Sequence, residues 1–72
     1  MNKSLSILKK CTEDEIPYFI ISARDKCSVP ALLKYIDQCY VEGCSAEFIN
    51  DVTQRLAEFS NYQFNHGNKI PD

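Results

Sequence analysis

Seventy-two residues, 44% hydrophobic and 25% charged, describe one small globular domain rather than a disordered chain. A chain this short buries only about 60% of its unfolded surface, so it usually needs disulfides, a metal or a partner subunit to complete its core. The formal net charge of −2, with basic residues scattered and only Lys9 and Lys10 adjacent, argues against a general nucleic-acid binder.

Residues 1–15 form a polar N-terminal segment without a sustained period, in which Leu5, Ile7 and Leu8 can dock locally. The run at residues 5–8 is too short for a signal-peptide core, and Lys9-Lys10 after it give the wrong polarity. Thr12 and Glu15 fit a capping box that opens a helix, although Pro17 falls just beyond. Tyr18-Phe19-Ile20-Ile21 is aromatic and β-branched, which predicts a strand over 18–23, although periodicity alone does not separate strand from helix in so short a run. It is also the longest apolar run, far short of the ~20 residues of a membrane span, so no membrane contact and a cytoplasmic location are expected.

Ser28 is an N-cap candidate with Pro30 in the first turn behind it, which predicts a helix over 29–42 that stops at Gly43. Ser45 caps a second helix over 46–62, with Glu47 in its first turn favourable to the dipole and Asn61, Asn65 and Gly67 as stop signals. The short linker folds the two into an antiparallel hairpin. The tail at 64–72 is polar and extended. The expected fold is therefore α+β and mostly α: one short strand followed by a helical hairpin, oligomeric.

The case for oligomers comes from the apolar faces. On helix 46–62, Phe48, Ile49, Val52, Leu56 and Phe59 fall in an arc of ~100°, enough for one packing partner. On helix 29–42, Val29, Leu32, Leu33, Ile36 and Tyr40 form the main stripe, and Ala31, Tyr35 and Cys39 widen it to roughly 200°. One neighbour does not cover that arc, so Tyr35, Cys39 and Tyr40 are candidate subunit-interface residues. Cys11, Cys27, Cys39 and Cys44 read as reduced thiols in a cytosolic chain. With no C-x-x-C pair and His66 the single histidine, neither a metal nor a cofactor is expected.

Arg24, Asp25, Lys26 and Ser28 lead the candidate ligand-binding residues. They stand at the start of a helix, where free N–H groups attract phosphate or carboxylate and a guanidinium adds bidentate hydrogen bonds. The plainer reading is that Asp25 or Ser28 simply caps the helix. Tyr18, Tyr35, Tyr40, Tyr62 and Phe64 supply rings able to stack a nucleobase, with Tyr18 and Tyr35 as the candidates, and such rings are more often core or interface residues. Glu47, Asp51, Arg55 and Glu58 on helix 46–62 read as a solvated face with an i,i+4 ion pair. Cys27 near a helix start and His66 on the tail make a weak catalytic pair, and no enzymatic activity is expected.

The segment Pro17-Tyr18-Phe19-Ile20-Ile21-Ser22-Ala23-Arg24-Asp25, the apolar helix from Pro30 to Tyr35 and the ending Lys69-Ile70-Pro71-Asp72 resemble a group of small phage and prophage proteins. These carry P-x-F-x-[LIV]-x-A-x-D and often close on K-[IV]-P-D. The group often has a basic residue at the position of Ser22, where this chain has Arg24 nearby instead. The resemblance implies a phage-type accessory protein in a host cytosol, and small proteins of that kind include oligomeric sponges for nucleotide immune signals. The expected function is a non-catalytic, self-associating module that sequesters a small anionic, nucleotide-like ligand in an anti-defence role. The alternative is a protein–protein adapter or inhibitor that acts on a host protein through helix 29–42.

Overall fold

The computed structural model describes residues 3–72, with side chains from Ser4 onward. Its elements are α1 (Lys3–Glu13), α2 (Ser28–Val41) and α3 (Ala46–His66). The strand expected at 18–23 is not formed, so the α+β class is overturned: among the described residues there is no strand, only an isolated parallel bridge between Asp25 and Lys69. The reason lies in pairing. Aromatic and β-branched side chains suit a half-buried sheet, but they hold a strand only where a ladder exists. Residues 5–8, the run that would have supplied a neighbour, are instead in α1. Residues 18–21 belong to no helix or strand and make no main-chain hydrogen bond among the described residues, and Phe19 and Ile20 remain 84% and 71% exposed.

The N-terminal segment is thus a helix, and Thr12 sits near its end rather than opening one. Its hydroxyl donates back to the Leu8 carbonyl at 2.8 Å. Asp14 and Glu15 follow as a turn in which the Ile16 N–H reaches the Cys11 carbonyl at 2.9 Å, the outer bond of a Schellman ending. Glu15 occupies the left-handed position there with φ 56°, which costs a non-glycine residue about 1 kcal/mol.

The hairpin is present. The end of α2 follows the expected chemistry: Gly43 takes φ 75°, its N–H bonds the Tyr40 carbonyl at 3.2 Å, and Cys44 N–H bonds Cys39 O at 3.0 Å. The Ser45 hydroxyl accepts from Phe48 N–H at 3.1 Å and caps α3. Ser28, near the start of α2, then bonds Gln63, near the end of α3, so the two helices run antiparallel. α3 continues past Tyr62 to His66 and ends at Gly67, so Asn61 and Asn65 do not stop it.

The core lies along this seam. Ile36, Cys39, Ile49 and Val52 are buried, with Leu32, Cys44, Phe48 and Leu56 packed against them. α3 turns the stripe expected of it inward, with Ile49 and Val52 buried and Phe48, Leu56 and Phe59 half-buried. α2 does not: Leu33, Tyr35 and Tyr40 stay half exposed or more, because α3 covers only one side of the wide arc. Cys39, expected at a subunit interface, is instead 4% exposed inside the chain's own core. No helix among the described residues is long and apolar enough to cross a membrane.

Burial pushes the Cys39 thiol above its ordinary value of 9.0, and the Cys44 thiol beside it adds to the rise. Tyr35 is raised by burial first and then by the two neighbouring cysteines. An acid whose pKa is higher folded than unfolded stabilises the fold fully below its unfolded value and loses that contribution as pH climbs through the folded one. Stability measured by urea denaturation should therefore decline as pH rises past 9.0. Cys39→Ala should lower stability at neutral pH yet flatten that decline; an equally steep decline in the variant would refute the assignment to Cys39.

Candidate functional site

The connector between α1 and α2 closes in two tight turns. Asp25 N–H bonds the Ser22 carbonyl at 3.1 Å, and Ser28 N–H bonds the Asp25 carbonyl at 3.0 Å. The Asp25 carboxylate accepts from Cys27 N–H at 2.7 Å, so Asp25 caps the approach to α2. The N-cap position belongs to Cys27, whose side chain makes no capping bond. Ser28 is the first residue of α2 and fully buried; its hydroxyl donates to the Asp25 carbonyl at 2.7 Å. Ser28 therefore faces inward and offers nothing to a ligand.

Gln63 holds this connector to the end of α3. Its amide nitrogen lies 3.1 Å from each of three acceptors: the carbonyls of Ala23 and Asp25 and the Ser28 hydroxyl. Two amide protons serve three oxygens, so at least one proton is shared. Its own oxygen accepts from Asn68 at 3.3 Å. Beyond Asn68 the tail is fixed by main-chain bonds, Lys69 N–H to Arg24 O at 2.9 Å and Lys26 N–H to Lys69 O at 2.8 Å. Sequence reading missed Gln63 and Lys69 as site residues, and it counted Tyr62 among the rings able to stack a nucleobase without placing it at the site. For Lys69 the available signal was the Lys-Ile-Pro-Asp ending, which marked the tail without saying what it touched.

These bonds bring Arg24 and Lys69 together on the surface. The two border a shallow cleft of 400 Å³ with Ile20, Ser22, Asp25 and Asp72, and a smaller one of 160 Å³ with Tyr62 and His66. Tyr62 and His66 stack at 4.6 Å between ring centroids, tilted by 35°. The arrangement places two cations beside a flat aromatic plate, in a cleft open to solvent. It suits an anion attached to a planar ring.

The remaining expected residues lie elsewhere. Lys26 is exposed on the connector. Tyr18 lies beside α1, and Tyr35 packs edge-on against Phe48 at 6.5 Å, so neither ring reaches Arg24's cleft. Arg55 bonds Glu58 at 2.8 Å and lies 3.7 Å from Asp51, an ion-paired helix face in a polar cleft of 510 Å³. Cys27 and His66 share no hydrogen bond or ring contact among the described residues. No group of three His, Cys, Asp or Glu there is placed to hold a metal ion. No protein-family model matches the chain, and comparisons with curated proteins and with solved structures find no match.

Replacing Gln63 by Leu removes the donor that reaches the Ala23 carbonyl and the Ser28 hydroxyl, and leaves the Asp25 carbonyl with only the Ser28 N–H and hydroxyl. Stability in urea should fall by about 1–3 kcal/mol. The amide protons of Lys26 and Lys69 should exchange with solvent faster than those of the α2–α3 core. Unchanged exchange at those two amides would show that the tail is held without Gln63.

Proposed function

We propose that this chain is a non-catalytic, self-associating accessory module that captures a small anionic, nucleotide-like ligand at Arg24 and Lys69. The observation that carries this reading is the pairing of two cations, distant in sequence, through main-chain bonds beside the Tyr62–His66 stack. Arg24 supplies a planar fork for two phosphate oxygens, and Lys69 adds a compact charge. A base lies on the aromatic plate, a role the sequence had suggested for Tyr18 or Tyr35. The Asp25 carboxylate is already engaged by Cys27 N–H, which limits its repulsion of an anion. Asp72 at the rim suits an amino group of the base. The resemblance to phage accessory proteins supplies the ligand class, a host nucleotide immune signal. Self-association draws on a different observation: thirteen large hydrophobic side chains are exposed among the described residues, against four in the core.

A second reading, an adapter or inhibitor of a host protein, is favoured by α2. There Tyr40 and Val41 stand 67% and 76% exposed, and Leu33, about two turns earlier on the helix, is exposed as well. Isothermal titration with a panel of cyclic nucleotides, and with inorganic phosphate as control, tests the first reading. Wild-type protein should bind, and Arg24→Ala or Lys69→Ala should each weaken binding at least about ten-fold without loss of helical signal. Absence of binding by wild type removes ligand capture. Function lost in Tyr40→Ala but kept in Arg24→Ala selects the adapter.

A further inference from the structure

We infer that the connector is the face through which two copies of this chain pair, running antiparallel about a two-fold axis near Phe19 and Ile20. The inference rests on the self-association proposed above and gives it a surface and an orientation.

The first argument is area. The chain exposes 5890 Å². That is about 1,300 Å² more than the roughly 4,600 Å² expected of a compact monomer of 8.3 kDa. A standard interface removes about 800 Å² from each partner, so the surplus is large enough for a stable dimer. Much of the exposed apolar surface is in one place: Ile16, Tyr18, Phe19 and Ile20 lie consecutively along the connector, all exposed. Beside them, between α1 and the connector, runs a groove of 390 Å³ lined by Leu8, Cys11, Phe19 and Ile21 among others. It has room for an aromatic ring from the second copy.

Charge decides the occupant. Before the apolar stretch stand Glu13, Asp14 and Glu15, all exposed, of which Glu13 already lies 3.9 Å from Lys9; after it stand exposed Arg24 and Lys26, with half-buried Asp25 between them held by Cys27 N–H and bridged to Lys69. The stretch is thus acidic at one end and basic at the other. A second copy laid antiparallel sets each acidic end against a basic one, and a parallel copy sets like against like. A two-fold axis repeats each favourable contact, as an isologous interface requires. The main chain points the same way. The donors and acceptors of residues 18–21 have no partner among the described residues, and the same row reversed in a second copy complements them. This pairing exists only between chains.

Sedimentation equilibrium of the full chain over a dilution series tests the inference. Wild type should be a dimer. Phe19 is exposed in the single chain and lies outside Arg24's clefts, so Phe19→Lys should keep its helical circular dichroism and its nucleotide binding. It should nevertheless raise the dimer dissociation constant at least about ten-fold. Lys26→Glu and Asp14→Lys should each weaken the dimer about five-fold, and the double variant should return to within about two-fold of wild type. A wild type that stays monomeric overturns both self-association and this interface. A dimer indifferent to Phe19→Lys overturns the interface alone. A double variant no stronger than either single one overturns the antiparallel orientation. Ligand capture is read separately, by titration of the Phe19→Lys protein.

Discussion

The Gln63 amide is the constraint on which the rest of the surface depends. The turns between residues 22 and 28 satisfy part of their own main chain, through Asp25 N–H to Ser22 O and Ser28 N–H to Asp25 O, but the Ala23 carbonyl and the buried Ser28 hydroxyl take their donor from outside the turns. Gln63 meets that need from the end of α3, across sequence separations of 40, 38 and 35 residues. Several features follow together. α3 continues its last turn to bring Gln63 into reach, Asn68 is tied to the same amide, and the tail is delivered to the connector. Arg24 and Lys69 become neighbours as a consequence. A buried polar network of this kind is sensitive to its weakest member, since a carbonyl left dry and unpaired costs more than the bond contributed.

What was legible in the sequence was what local chemistry decides. Gly43 at a left-handed position, Ser45 as a cap and the α3 stripe each follow from a few adjacent residues, and each is found in place, with Phe48, Ile49, Val52 and Leu56 of the stripe in the core. Ser28 shows the limit of that reasoning. Its side chain is of capping type at a capping place, but burial turned the hydroxyl toward Asp25 and Gln63 and passed the N-cap to Cys27. Gln63 itself was invisible, because a glutamine on a helix looks like a solvated residue until its distant partners are known.

The strand failed for a related reason. Residues 18–21 have the side chains of a strand, and composition registers side chains; whether a ladder forms is settled by a neighbouring segment. Here that segment became α1. Leu5, Leu8 and Cys11 lie three apart, a helical stripe too short to stand out in a polar context, and Thr12 offered a false opening signal. Its hydroxyl instead back-bonds within the final turns of the helix.

Two apolar surfaces stay open, and they differ in kind. On α2 the exposed Leu33, Tyr40 and Val41 sit on a helix whose interior main-chain groups are satisfied, with Gln38 and Glu42 bonded to each other at 2.8 Å alongside. Such a face offers area without direction, and any apolar partner of suitable shape can use it. The connector offers more instruction: main chain along 18–21 unpaired among the described residues, acid before it and base after it. Specificity arises from arrangements that penalise wrong partners as well as from attraction to the right one. On that criterion the pairing proposed for the connector would leave the exposed α2 residues uncovered, so the proposed self-pairing and the adapter reading call on different surfaces. The Arg24 cleft, at the connector's basic end, shares Ile20 with the connector and is lined by no residue of α2.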